Sequence, residues 1–173
     1  TGTYIPRFRN VYNDKRDYLR GFGYQGNAHR GRGIDVAEFT LGAELKDALS
    51  EPGNWEMGIT AFGEMLPDHS NKMTLSKTKK DKWGLAVLDF DVEIKENEKK
   101  MRIDMMNDAK EMLEASGLKD VNTYDAGYAV GQGIHEMGTA RMGSDAKTSV
   151  LNKNNQVWDA PNVFVTDGAF MTS

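Results

Sequence analysis

One histidine stands among glycines in the stretch Gly131-Gln-Gly-Ile-His135-Glu-Met-Gly-Thr-Ala-Arg141-Met-Gly143. Such a segment holds too much glycine for an ordinary helix or strand. Imidazole is the side chain most readily poised to exchange a proton near neutral pH, and glycine lets main chain lie close against a neighbour. The combination suits a site where backbone abuts a ligand while an imidazole faces the chemistry. A second stretch, Val163-Phe-Val-Thr-Asp-Gly168, reads as a short buried strand that delivers a tight Asp-Gly turn. The plainer alternative is a buried histidine donating to a carbonyl, with glycines that serve only turns. Spacing alone favours that alternative, because no second catalytic group lies nearby in the sequence.

Other chemistries find less support. His29, His69 and His135 could be imagined as metal ligands, but His135-Glu136 is followed at position 139 by Thr139. HExxH is therefore not completed, no other pair has ligand spacing, and no metal site is expected. The chain has no cysteine, which excludes disulfides, zinc–thiolate sites and a thiol nucleophile without fixing the compartment. Gly21-Phe-Gly23-Tyr-Gln-Gly26 matches GxGxxG letter for letter. A dinucleotide fingerprint needs an apolar strand before it and a helix after it. Arg16-Asp-Tyr-Leu-Arg20 and Asn27-Ala-His-Arg-Gly31 supply neither, so an extended segment with a tight turn is expected there.

The elements around these residues follow from composition and period. The chain has 173 residues, 39% hydrophobic and 28% charged, enough for one ordinary domain or one domain plus part of another. A formal net charge of −4 argues against nucleic acid as a partner. Arg7, Arg9, Arg16 and Arg20 alternate with Tyr4, Phe8, Tyr12, Tyr18 and Phe22. They are therefore read as packing rings and arginines paired with surplus carboxylates rather than as an RNA surface. No run approaches the ~18 apolar residues of a membrane span.

Asp35 is expected to cap a core-facing helix from about Val36 to Leu49, with Leu41, Leu45 and Leu49 on its stripe. Trp55, Met57, Ile59 and Ala61 alternate with polar neighbours as a half-buried strand does. Residues 72–76 form a short strand, residues 77–84 a charged loop, and Leu88, Phe90, Val92 and Ile94 one face of a clear strand whose other face is acidic. Consecutive strands joined by turns imply an antiparallel sheet. The longest helix runs from about Asn97 to Ser116 and buries Met101, Met105, Ala109, Met112 and Leu113. Glu96–Lys100 and Glu98–Arg102 are spaced for ion pairs on it, and Gly117 closes it.

Taken together, Gly133–Gly143, Lys147-Thr-Ser-Val-Leu-Asn152 and Asn162–Gly168 resemble the C-terminal signature of the glucose–methanol–choline (GMC) family of flavoprotein oxidoreductases. Tyr4-Ile-Pro-Arg-Phe-Arg-Asn10, Gly63-Glu-Met-Leu-Pro67, Asn71-Lys-Met-Thr-Leu75 and Asp81-Lys-Trp-Gly84 agree with it in order. The resemblance is most similar to the bacterial sugar and polyol dehydrogenase branch.

It implies an FAD enzyme that oxidises an alcohol, a sugar or polyol, by hydride transfer to the flavin. His135 falls at the position that takes or orients the hydroxyl proton. Asp167, Gly168 and Ala169 fall where main chain packs against the cofactor, and Gly138 and Thr139 border the ring. Glu136 and Arg141 are expected to fix the loop, and Asn152 to belong to a turn.

The fold implied is α+β, an antiparallel sheet backed by helices, with a short C-terminal segment belonging to the FAD domain. Residues 1–130 would form a substrate-binding portion, and residues 131–173 the histidine segment and the return toward the FAD domain. The family's nucleotide-binding unit is not in these residues, and its second active-site residue would fall after Ser173. The first and last residues read as the middle of a longer protein. On this view the isolated chain is inert, binds FAD poorly or not at all, and has the FAD domain of the same protein as its partner. The competing view is a stand-alone sugar-binding module in which Trp55, Trp83 and Trp158 stack on a pyranose, although packing in a core is the expectation favoured for these rings.

Overall fold

The computed structural model describes residues 2–32, 41–131 and 135–172. Its contacts fall into two compact units, residues 1–64 with 95–125 and residues 65–94 with 126–173. The first unit holds β1 (Gly2–Phe8), β2 (Phe22–Arg32), α1 (Ala43–Ser50), β3 (Pro52–Gly63) and α2 (Glu96–Ala115). The second holds β4 (Lys72–Lys80), β5 (Ala86–Asp91), β6 (Gln156–Val157) and β7 (Ala160–Phe164), followed by a single 3-10 turn at Gly168–Phe170. Among the described residues every strand pair is antiparallel, and with helices α1 and α2 this is the α+β class that the sequence implies.

In the first unit the order is β1-β2-β3. Side chains alternate across the sheet, so Tyr24, paired with Ala61, and Phe22, paired with Gly63, point to one face. That face meets α2. Tyr18, Phe22, Tyr24 and Met101 form the buried core, with Ile5, Phe8, Ile59, Ala61, Met105, Ala109 and Met112 packed against it. Phe8, Phe22 and Tyr24 meet edge-on or tilted, with ring centroids 5.5–6.0 Å apart, geometry that aligns ring edges with ring faces. The GxGxxG match lies within and just before β2, not at a phosphate turn. A Cβ on Gly26 would stand 2.2 Å from the carbonyl oxygen of Gly58, so this glycine serves close strand pairing.

The arginines of the first segment do find carboxylates. Arg9 forms a two-pronged pair with Asp108 on α2: Nε donates to Oδ2 at 2.7 Å, and Nη2 donates to Oδ1. Asp108 is nearly buried, with its side chain 8% exposed, and its hydrogen bond pushes the Arg9 guanidinium still further up. Tyr18 donates to Asp104 at 2.9 Å and Tyr24 to the Met105 carbonyl at 2.9 Å. Arg20 pairs with Glu64. The loop between β1 and β2 is thereby fastened to α2 through polar groups that face inward.

α2 matches its expected span and buried stripe, but its ion pairs differ. Lys100 binds Asp17 at 2.7 Å, Arg102 binds Asp125, and Glu96 takes Lys99 at 2.7 Å. Glu98 is buried and accepts from the Lys95 amide at 3.2 Å, so it satisfies the helix start instead of reaching Arg102. At the other end, Gly117 (φ +90°) lets Leu118 donate to Leu113 and Gly117 to Glu114, a Schellman closure.

The helix expected over residues 36–49 is described only as α1, which begins after Gly42 and buries none of its residues. Leu41 is 87% and Leu49 42% exposed, with Leu45 half-buried, so the stripe read as core-facing is only partly covered among the described residues. The expected cap Asp35, with Val36 and Phe39, lies outside the described residues.

β4 also continues through Lys80, where a charged loop was expected. The turn is confined to residues 81–85, tied by Asp81 Oδ1, which accepts from the amides of Trp83 and Leu85 at 2.9 Å. β5 ends at Asp91 rather than including Ile94. Met73 pairs with Phe90 and Leu75 with Leu88 on one face, and this face stays 46–67% exposed.

Two predictions rest on the first unit. Arg9→Ala strands a nearly buried carboxylate and should cost about 3 kcal/mol, read as the urea unfolding midpoint, with Arg9→Lys restoring part of it. Burial pushes the phenols of Tyr18 and Tyr24 above their ordinary value of 10.0. The folded state thus holds protons that the unfolded state releases. This contribution is complete below about pH 10 and is lost as pH rises above it. An ultraviolet titration should show two of the six tyrosines ionising only with unfolding.

Candidate active site

The histidine segment and the Asp-Gly turn, far apart in sequence, lie side by side in the second unit. The Gly138 amide donates to the Gly168 carbonyl at 3.4 Å, Ala140 to Ala169 at 2.9 Å, and Met142 to Phe170 at 2.9 Å. Alternate residues of one strand-like segment therefore bond to successive carbonyls of the other. Asp167 Oδ1 accepts from the Ala169 amide at 2.8 Å and starts the 3-10 turn, an aspartate's usual use at such a start.

Behind this pair, Leu151 is fully buried. It bridges Met142 on one side and Val157 on the other. The Arg141 carbonyl accepts from the amides of Val150 and Leu151 at 3.1 and 3.2 Å, and its Nη2 donates to the Thr148 carbonyl at 2.7 Å. Arg141 thus holds the loop. Asn152 makes the turn before β6: its Oδ1 accepts from the Asn154 amide at 2.8 Å, and its Nδ2 donates to Gln156 Oε1 at 2.9 Å.

His135, Glu136 and Met137 are exposed, as are Thr139 and Asp167, while Gly138, Gly168 and Ala169 are half-buried. The imidazole therefore stands on an open wall and not in the interior, against the plainer alternative of a buried histidine. Gln132, Gly133 and Ile134 lie outside the described residues.

Gly168 has a use that the sequence did not announce. A Cβ there would stand 2.4 Å from Met137 Sδ, so the thioether occupies the space a side chain would need. Gly138 has φ +83°, a backbone region that L side chains enter at a cost. Gly143 is close-packed too, since a Cβ there would meet Ser149 Cβ at 2.6 Å.

The three tryptophans are not core residues. Trp55 is 65%, Trp83 74% and Trp158 37% exposed. Trp158 Nε1 donates to Ser149 Oγ at 3.1 Å, and Lys82 Nζ sits over the Trp83 ring at 4.2 Å. Among the described residues no three His, Asp or Glu side chains converge as metal ligands. His29 instead faces Glu56 across β2 and β3 at 3.6 Å.

Of the residues expected at a flavin, Gly138 bonds to Gly168 through the main chain, and Asp167 and Ala169 share the turn with Gly168. The Met137 thioether fills the space over Gly168, while the side chains of Thr139 and Asp167 are exposed.

Comparison with known proteins bears on the same residues. A family profile described as GMC oxidoreductase matches residues 67–173. The chain is similar to 2-methyl-1,2-propanediol dehydrogenase of Mycolicibacterium austroafricanum, 33% identical over 91% of this chain and 30% of that protein. It is also similar to the gluconate 2-dehydrogenase flavoprotein of Pantoea cypripedii, 30% identical over 72% of this chain and 21% of that protein. Paromamine 6'-oxidase of Streptomyces fradiae is 39% identical over 40% of this chain and 13% of its own length. The chain thus spans less than a third of the length of these curated relatives.

The glycine contacts rank two substitutions. Gly143→Ala presses on a short, fixed side chain and should cost about 1–3 kcal/mol. Gly168→Ala presses on the tip of a flexible methionine and should cost clearly less. Urea unfolding midpoints of the two variants give the order.

Proposed function

The chain belongs to the GMC oxidoreductase family, and from that premise we propose that it is the part of an FAD-dependent enzyme that meets the alcohol being oxidised. The observation that supports this most is the main-chain lacing of Gly138–Met142 to Gly168–Phe170. It holds the exposed His135 segment against the turn proposed to adjoin the cofactor. On this reading residues 1–130 are a substrate-binding portion, and residues 131–173 carry the proton acceptor and the return toward the FAD domain.

The chemistry assigned to these residues is simple. A carbon gives up hydride more readily as its oxygen loses a proton. His135 accepts that proton through a ring nitrogen, and Gly168 and Ala169 present main chain toward the side where the cofactor would lie. FAD, when bound, supplies the two-electron sink that no side chain offers. Asp167, through its bond to the Ala169 amide, keeps the turn's main chain in place, and Gly138 and Thr139 border the ring. The substrate class is an alcohol, most simply a diol, polyol or sugar. The names of the relatives include a propanediol dehydrogenase and a gluconate dehydrogenase.

A second reading has one observation in its favour. Three exposed tryptophans could stack on sugar rings without a flavin. Flavin absorbance in the purified full-length protein separates the two.

In that protein, His135→Ala should slow flavin reduction by alcohol ~10²-fold or more, measured by stopped-flow absorbance; an unchanged rate removes His135 from the chemistry. The 173 residues alone should show no alcohol-dependent dye reduction.

A further inference from the structure

A cavity of about 260 Å³ opens beside the histidine segment, lined among others by Thr139, Arg141, Lys147, Thr148 and Ser149. Two of these side chains are cationic, and no carboxylate is among the lining residues. Arg141 uses one N–H on the Thr148 carbonyl at 2.7 Å. Neither it nor Lys147 makes an ion pair with a carboxylate among the described residues. The nearest acid in sequence, Asp145, turns inward to its own loop: Oδ1 accepts from the Lys147 amide at 2.9 Å, and its carbonyl accepts from Ser149 at 3.0 Å.

Two cations sharing a concave site repel one another until an anion joins them. A guanidinium fork beside an ammonium matches the two or three oxygens of a carboxylate or phosphate. Thr139 also lines the cavity and lies four residues from His135, so at most about 14 Å of extended chain separates their Cα atoms. Two side chains and one small molecule can span that interval.

We propose that Arg141 and Lys147 form an oxyanion subsite that selects substrates carrying a carboxylate or phosphate on a hydroxylated chain: aldonic acids or sugar phosphates rather than neutral sugars. This deepens the reading of the site as that of an alcohol oxidoreductase and rests on it. The cavity is smaller than the ~300 Å³ at which pockets for whole drug-sized ligands begin. It therefore takes the charged end of the molecule, leaving a hydroxyl-bearing carbon to reach His135.

The test uses the full-length, flavin-loaded protein with gluconate, glucose 6-phosphate and glucose as substrates, for the native protein and for Lys147→Met and Arg141→Lys. Lys147 is the cleaner probe because Arg141 also holds the loop. The expected result is a preference for one or both anionic substrates that weakens with salt. In Lys147→Met, kcat/KM for the preferred anion should fall roughly tenfold, through KM, with glucose unchanged. Preference for gluconate assigns the carboxylate, and preference for glucose 6-phosphate the phosphate. Equal treatment of charged and neutral substrates, or equal losses for both in Lys147→Met, overturns the proposal. Should no alcohol be oxidised at all, the oxidoreductase reading falls, and calorimetry with gluconate and inorganic phosphate still judges the subsite. Binding that Lys147→Met weakens sustains it, and no binding overturns it.

Discussion

The second unit depends on one row of main-chain hydrogen bonds, from Gly138, Ala140 and Met142 to Gly168, Ala169 and Phe170. Main-chain bonding has a consequence that side-chain contacts lack: it fixes position with little regard to which side chains stand outward. Glu136, Thr139 and Asp167 can remain exposed because the backbone holds the register for them. Leu151 sets the depth, fully buried and bridged on both sides. A short segment with two small glycine-bearing turns would otherwise have too few apolar side chains to keep a single shape.

The first unit reaches order by a different route. Its sheet and α2 share a core of four buried residues, and a polar seam of Arg9–Asp108 and Tyr18–Asp104 closes the side where the loop between β1 and β2 crosses the helix. A charge pair so little exposed is not a strong source of stability in itself, since desolvation offsets most of the attraction. Its effect is directional. Asp108 takes two hydrogen bonds from Arg9, so the pair ties the start of the loop to α2. The same reasoning explains why aromatic and arginine residues alternate there without serving a nucleic acid.

Much of this was legible in the sequence because it follows from local period and backbone chemistry. Met101, Met105, Ala109 and Met112 lie at helical spacing, and Gly117 stands where a helix must close. His135 with its glycines, and Asp167-Gly168 after a β-rich run, marked the two segments that the fold joins. What failed to show in the sequence was tertiary. Nothing in the spacing of Glu96, Glu98, Lys100 and Arg102 says that Asp17 and Asp125 would be better placed partners than residues one turn away. The hydrophobic stripe of Leu41, Leu45 and Leu49 has the right period, but among the described residues only Leu45 of the three is half-buried, since period reports an amphipathic face and not what covers it. Nor does the sequence distinguish a glycine that makes room for a ligand from one that makes room for Met137.

An imidazole on an open wall is positioned but not yet selective. In contact with bulk water, any charge that develops beside it is screened. Of the residues proposed to border the ring, Thr139 and Asp167 are exposed and Gly138, Gly168 and Ala169 are half-buried. They provide few large apolar groups to exclude water, Met137 itself being 49% exposed. On the proposed reading, then, the work divides cleanly. This chain fixes where the proton goes, through backbone bonds that do not depend on enclosure. Water exclusion, on which the strength of every electrostatic contact at the ring depends, comes from the surfaces of cofactor and substrate brought against that wall.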